Sequence, residues 1–327
     1  MHTLNISDTV EMLTQIFARD EKHTVILLGP PGAGKTSAVA HAAKVNDREI
    51  LNLALPTCEA VDLRGIPTVQ NGRTVWASPL PKEGRGVLLL DELTSAPKDV
   101  QVAAHHIVWQ EKGSDMGLGD GWQVVLTGNN ARDKSVYQAI GAPLRNRMTI
   151  IQVEPDVKGW ENWAMEKGIS ADIIGFLRFR PDLLSQAVIP VDGAFASPRS
   201  WESCNYILGL KVSANIERSM LEGTIGEGPS TEFAAYLALS RALPSIQHII
   251  DNQDTAEVPV DPATRYALTT NLSQYSRQTQ ESLMVFMARM PSEFALLYIR
   301  DIREKLDVAK CPEIRKWIKS HKALFAS

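Results

Sequence analysis

The chain opens in a helical rhythm. Val10, Leu13, Ile16 and Phe17 share one face at helical spacing, so residues 8–20 read as an amphipathic helix with Ser7 or Asp8 as its cap. The rhythm then changes. Residues 24–28 (TVILL) form a short unbroken apolar run, the pattern of a parallel strand covered on both faces. Further strands are expected at 50–55, 87–90, 124–126 and 148–153. Helices are expected at 37–44 and after Pro97, where Val100, Ala103, Ile107 and Val108 supply an apolar stripe. Asn71-Gly72, flanked by strand-forming residues, predicts a hairpin over 69–75, and the glycine-rich stretch 113–121 reads as a loop or second hairpin.

Strands alternating with helices imply a doubly wound parallel α/β sheet in the first half. From Trp160 the pattern is helical, with breaks at Pro181, 190–193, 223–229, Pro244, 254–262 and Pro291. The expected plan is an α/β core over 1–154, a helical lid over 155–243 and a C-terminal helical extension over 244–327.

Composition narrows the class. At 327 residues, 44% hydrophobic and 22% charged, the chain has enough apolar side chain for two or three soluble domains. Its apolar runs fall short of the roughly 20 residues that span a bilayer. Residues 1–8 lack a basic-then-apolar secretion signal, so a cytoplasmic protein without membrane contact is expected. A formal charge of −4 argues against nucleic-acid binding by bulk electrostatics. Cys58, Cys204 and Cys311 are too dispersed for a disulfide framework or a paired metal site, and are expected to be inert thiols. His105 and His106 are adjacent and lie on different faces of a helix, which makes a poor zinc site.

The octet Gly29, Pro30, Pro31, Gly32, Ala33, Gly34, Lys35, Thr36 fits G-x-x-x-x-G-K-[ST], between an expected strand and an expected helix. In such a loop successive backbone N–H groups point at phosphate oxygens, and the helix N-terminus adds its positive dipole end. Lys35 is the residue type for the β- and γ-phosphates of ATP, and Thr36 for Mg2+. Asp91 and Glu92 end the apolar run 87–90: Asp91 suits magnesium and Glu92 suits polarising a water for in-line attack. Asn129, at the tip of the next strand, is placed to bond the γ-phosphate or that water. Arg145 and Arg147 precede the final strand with permanent planar charges suited to a phosphate in transit. In Ser197-Pro198-Arg199, serine caps and proline starts a helix that carries Arg199 near its beginning.

Taken in order, these motifs resemble the AAA+ plan: a P-loop NTPase parallel-sheet core with a helical lid, here followed by a C-terminal helical extension. Within it the chain resembles the MoxR branch, notably its CbbQ/NorQ-like members. The closer likeness lies in Asp62-Leu63-Arg64-Gly65-Ile66-Pro67, in Thr74-Val75-Trp76-Ala77-Ser78-Pro79-Leu80 and the run at 86–95, and in Ala196 to Arg199. Ser78, where glycine is usual, and Asn130, where proline is common, are departures in loops. The resemblance implies that Lys35 and Thr36 belong to Walker A, Asp91 and Glu92 to Walker B, and Asn129 to sensor 1. It further implies that Arg147 is an arginine finger acting in trans, assisted by Arg145, with Arg199 as sensor 2. It implies a homo-oligomeric, hexameric ring that remodels protein complexes, beside a partner with a von Willebrand A domain. The 71–72 hairpin and the 113–121 loop would face pore or client.

The expected function is therefore an ATP-hydrolysing motor or chaperone with ATP and Mg2+. Two rivals share the same ATP-site residues. A DNA-directed loader or helicase helper requires a basic face, which the acidic balance disfavours. An ATP-gated scaffold with little turnover has no use for an intact Glu92.

Overall fold

The computed structural model describes residues 3–109, 118–131, 137–186, 189–190, 192–275, 279–303 and 311–322. They divide into two compact units. Met1–Trp160, Ser185–Asp192 and Ser197–Arg199 make the first; Glu161–Leu184, Gly193–Ala196 and Ser200–Ser327 make the second.

The strands are β1 (Thr3–Leu4), β2 (Val25–Leu28), β3 (Glu49–Ala54), β4 (Ile66–Gln70), β5 (Arg73–Ala77), β6 (Gly86–Asp91), β7 (Trp122–Gly128) and β8 (Thr149–Val153). Six of them pair in parallel in the order β1-β8-β2-β7-β6-β3, while β4 and β5 form a separate antiparallel hairpin. Helices α1 (Ile6–Phe17), α2 (Lys35–Val45), α3 (Ala60–Arg64), α4 (Lys98–Trp109) and α5 (Ala142–Arg145) belong to the same unit.

The apolar strand runs have a direct cause. Side chains alternate across a sheet, and both faces here are covered. Val25, Leu27, Val87, Leu89 and Val125 pack on one face with Leu13 and Phe17 of α1 and Ala38, Val39 and Ala42 of α2. Ile26, Leu88, Leu90 and Leu126 pack on the other with Leu63 of α3 and Val100, Ala103 and Ile107 of α4. Each such Val, Leu, Ile or Phe side chain contributes about 1.5–3 kcal/mol when fully buried. The doubly wound expectation holds.

Several boundaries differ from the sequence reading. The cap of α1 is Asn5, not Ser7 or Asp8: its Oδ1 accepts the Asp8 N–H at 2.8 Å. Asn5 holds that place because the chain arrives extended from β1, which pairs Thr3 with Gln152 and Leu4 with Val153. With two residues and no apolar run, β1 left no trace in the pattern. Pro97 lies just before α4, and its carbonyl accepts the Gln101 N–H at 3.0 Å. The break expected over 223–229 narrows to Gly226, at φ 86°, between two helices. The hairpin forms as predicted. Asn71 and Gly72 both take positive φ, 51° and 71°, as a type I′ turn requires. Its Ile66 and Val69 are 62% and 77% exposed. Of the 113–121 stretch, 113–117 fall outside the described residues, and 118–121 lead into β7.

The later helices are α6 (Val157–Glu166), α7 (Ala171–Phe179), α8 (Pro198–Gly209), α9 (Ala214–Ile225), α10 (Glu227–Arg241), α11 (Ile246–Asp251), α12 (Pro262–Leu272), α13 (Gln280–Met287), α14 (Ser292–Ile302) and α15 (Pro312–Ser320). Phe176, Trp201, Phe233 and Tyr236 make an aromatic cluster with centroids 5.1–5.5 Å apart. Leu283, Met284, Phe286, Met287 and Met290 are core, packed with Phe294, Tyr298 and Trp317. Arg178 is buried and bidentate to Asp301, at 2.6 and 2.9 Å, with Glu161 at 3.2 Å. Burial works against the Arg178 charge, and the two carboxylates more than offset it. Arg300 also reaches Glu161, at 2.6 Å, so two arginines meet two carboxylates and fix how α6, α7 and α14 register.

Burial raises two of the three thiols above their ordinary value. Cys204 is buried, and its thiol is pushed up to about 12; burial, with Asp62 nearby, also raises that of half-buried Cys58. Among the described residues, no helix is long and apolar enough to cross a membrane.

Candidate active site

Strands of one parallel sheet deliver their carboxyl ends to one edge, so loops far apart in sequence become neighbours there. At the end of β2 the chain turns through Gly29 to Gly34, and the Gly29 N–H donates to the Gly128 carbonyl at the end of β7, 3.2 Å away. Gly32 and Gly34 adopt φ of 75° and 91°, which other residues reach only with strain. A side chain at Gly32 would also meet the Ser197 hydroxyl at 2.9 Å and the Arg199 Cβ at 3.4 Å. Arg199 thus stands beside the loop, 167 positions away in sequence by subtraction (199 − 32).

Lys35 begins α2 and is only 8% exposed. Its ammonium donates to the carbonyls of Gly29 at 2.8 Å and Pro30 at 2.9 Å, and reaches Asn129 Oδ1 at 3.4 Å. The next hydroxyl, Thr36 Oγ1, donates to Asp91 Oδ2 at 3.0 Å. The other Asp91 oxygen accepts from the Thr127 hydroxyl. That same Thr127 oxygen accepts the Glu92 N–H at 3.0 Å. Glu92 itself is exposed and left-handed, at φ 60° and ψ 40°, a conformation uncommon outside glycine. The Asn129 N–H donates to the Thr94 hydroxyl at 2.8 Å.

The structure therefore brings Lys35, Thr36, Asp91, Glu92, Asn129 and Arg199 to one place. It also adds two residues the sequence reading missed. Thr94 and Thr127 are almost fully buried and join the tips of β6 and β7 through their hydroxyls. Thr127 carries one sequence signal, a polar residue near the end of an otherwise apolar strand run, and Thr94, in the turn after β6, carries none.

Arg145 and Arg147 are elsewhere. Both are exposed, at the end of α5 and just after it. The register pairs Val25 with Thr149 and Leu28 with Gln152. Arg147 therefore lies off the amino ends of the strands, and the phosphate loop leaves from the carboxyl ends. The paired stretch alone separates them by roughly 10 Å, with further chain at each end. The Arg147 guanidinium donates to the Pro143 carbonyl at 2.8 Å and sits 5.2 Å over the Trp109 ring.

Residues 24–148 match the family model for the AAA domain, dynein-related subfamily. This stretch is thus similar to an AAA domain. The chain is also similar to Protein NorQ of Paracoccus denitrificans (strain Pd 1222), with 29% identity over 168 residues, covering 47% of this chain and 62% of NorQ. That likeness agrees with an AAA+ ATPase of the MoxR type. Replication factor C subunit 5 of Mus musculus is 30% identical over 105 residues, 31% of either chain. The match spans less than two thirds of either relative's length. The RuvB Holliday junction branch migration motor of Thermotoga maritima aligns over 82% of this chain and 80% of its own, at 18% identity and a TM-score of 0.40.

The family match begins just before β2 and ends just before β8, so it takes in the Gly29–Thr36 loop, the acidic pair, Asn129 and both arginines. Arg199 lies beyond it, and only the folded chain puts it next to Gly32.

Proposed function

We propose that this chain hydrolyses ATP as one subunit of a homo-oligomeric, hexameric AAA+ ring that remodels protein complexes. The observation that carries the reading is the meeting of Thr36 and Asp91 at 3.0 Å beside a buried Lys35. A hydroxyl and a carboxylate form an oxygen pair of the kind magnesium takes, since that ion uses few protein ligands and completes its shell with phosphate oxygens and water. Bound there, magnesium would neutralise phosphate charge.

The residues then divide the work. Gly29 to Gly34 present main-chain N–H groups to the phosphates, and Lys35 supplies the charge. Glu92 accepts the proton of the attacking water, and Asn129 orients that water. Arg199 couples nucleotide state to α8, the helix it helps begin. On this reading residues 155–243 act as the lid and 244–327 as the extension. Arg147 faces away from its own phosphate loop, and a second copy is the economical recipient of its charge. The exposed β4–β5 hairpin is the contact for a protein client, with a von Willebrand A domain protein as the expected class.

Purified protein should bind ATP in a magnesium-dependent way and release phosphate, with specific activity rising as protein concentration drives assembly. A chain that shows no such affinity sinks the proposal. Salt-sensitive stimulation by DNA would instead favour a nucleic-acid-directed role.

Thr127 offers a narrower prediction. Its hydroxyl serves both acids at once, so Thr127→Val removes a bond to a charged group and orphans the Glu92 N–H. Such losses are about 1.5–3 kcal/mol, or roughly ten- to a hundredfold in turnover. Thr127→Ser should retain most activity. The check is kcat at saturating ATP; an unchanged kcat in the valine variant would show that the clamp is dispensable.

A further inference from the structure

We propose that Trp109 is a positioning residue for Arg147, holding the guanidinium on its indole face so that the arginine is presented pre-ordered to a neighbouring copy of this chain. The inference rests on the reading above, in which Arg147 acts on a neighbour's nucleotide. Its evidence is separate from that reading.

Trp109 is the last residue of α4. The core face of that helix is made by Val100, Ala103, Ala104 and Ile107. At about 100° per residue, position 109 points to the side opposite that stripe. It is accordingly 52% exposed, a large aromatic side chain that the core does not use. What it does contact is Arg147, whose guanidinium carbon lies 5.2 Å from the ring centroid, within cation–π range.

A second contact completes the hold. Arg147 Nη1 donates to the Pro143 carbonyl at 2.8 Å. That bond engages one of the five N–H donors of a guanidinium, and the indole supports the group from its face. An exposed arginine otherwise samples many rotamers, and ordering it at the moment of contact costs entropy. Two restraints from α4 and α5 lower that cost beforehand. His105, one turn earlier on α4, stacks on the same indole with rings 12° from parallel and centroids 6.1 Å apart. Burial, and then the charges of Arg147 and His106, hold His105 below the usual histidine range. It therefore stays neutral at physiological pH and adds no competing cation beside Arg147.

The test is a double-mutant cycle on the assembled full-length chain, reading kcat at saturating ATP, ATP affinity and oligomer size. Trp109→Ala should lower kcat on the order of fivefold or more with ATP affinity unchanged, and Trp109→Phe should recover most of it. Trp109→Leu keeps apolar bulk without an aromatic face and should behave like alanine, which guards against a loss caused by misassembly. In an Arg147→Ala background, removing Trp109 should cost nothing further. Full activity of Trp109→Leu, or an equal added loss in the double variant, overturns the inference. If Arg147→Ala itself turns over normally, the reading beneath it fails instead.

Discussion

Glu92→Gln should bind magnesium and ATP as tightly as the parent chain while releasing phosphate at least a hundredfold more slowly. The size follows from what a positioned general base contributes, about a hundred- to ten-thousandfold. Glutamine keeps the shape of the side chain and the left-handed backbone at φ 60°. It also leaves the Glu92 N–H bond to Thr127, and with it the Thr127–Asp91 contact, undisturbed. Only the ability to accept a proton is lost. Equilibrium binding and single-turnover phosphate release, measured on the same preparation, separate the two quantities. Normal turnover in this variant would assign the proton to another group.

Arg147→Ala should lose on the order of a thousandfold or more in turnover and keep its own ATP affinity. Strand register underlies the second half of that expectation. Arg147 lies off the amino ends of β2 and β8, and the Gly29–Gly34 loop leaves from the carboxyl end of β2. On the proposed reading, a missing guanidinium is felt between copies rather than at the chain's own nucleotide. Complementation tests the point. Arg147→Ala copies keep a nucleotide site, and Lys35→Ala copies keep an arginine. Mixed together, the two inactive variants should regain part of the parent activity. If mixing restores nothing while the oligomer still forms, action in trans is excluded.

The parts of this protein that were legible in its sequence share a physical cause. The runs at 25–28 and 87–90 are apolar at every position because helices cover both faces of the sheet, and that burial leaves no room for polar residues. Asn71-Gly72 announced its turn because few other pairs accept two positive φ values. The phosphate loop was legible for the same reason, as its backbone geometry restricts composition. What escaped notice had no compositional cost. The two-residue β1 needs no apolar run, and Asn5 became the cap only because β1 fixes where the chain enters α1. Thr94, in the turn after β6, and Thr127, near the end of β7, look like ordinary polar residues until β6 and β7 lie side by side.

Sequence alone thus determined the α/β half, the helical half, the turn at Asn71-Gly72 and the positive-φ glycine loop, since each depends on contacts or backbone shapes within a few residues. Tertiary structure decided the rest: the Thr127 clamp on both acids, Arg199 beside Gly32, and Arg147 on Trp109 at the opposite edge of the sheet. These depend on strand order and register, and those are set by the packing of the whole sheet between its helices, a property that no single stretch of chain encodes.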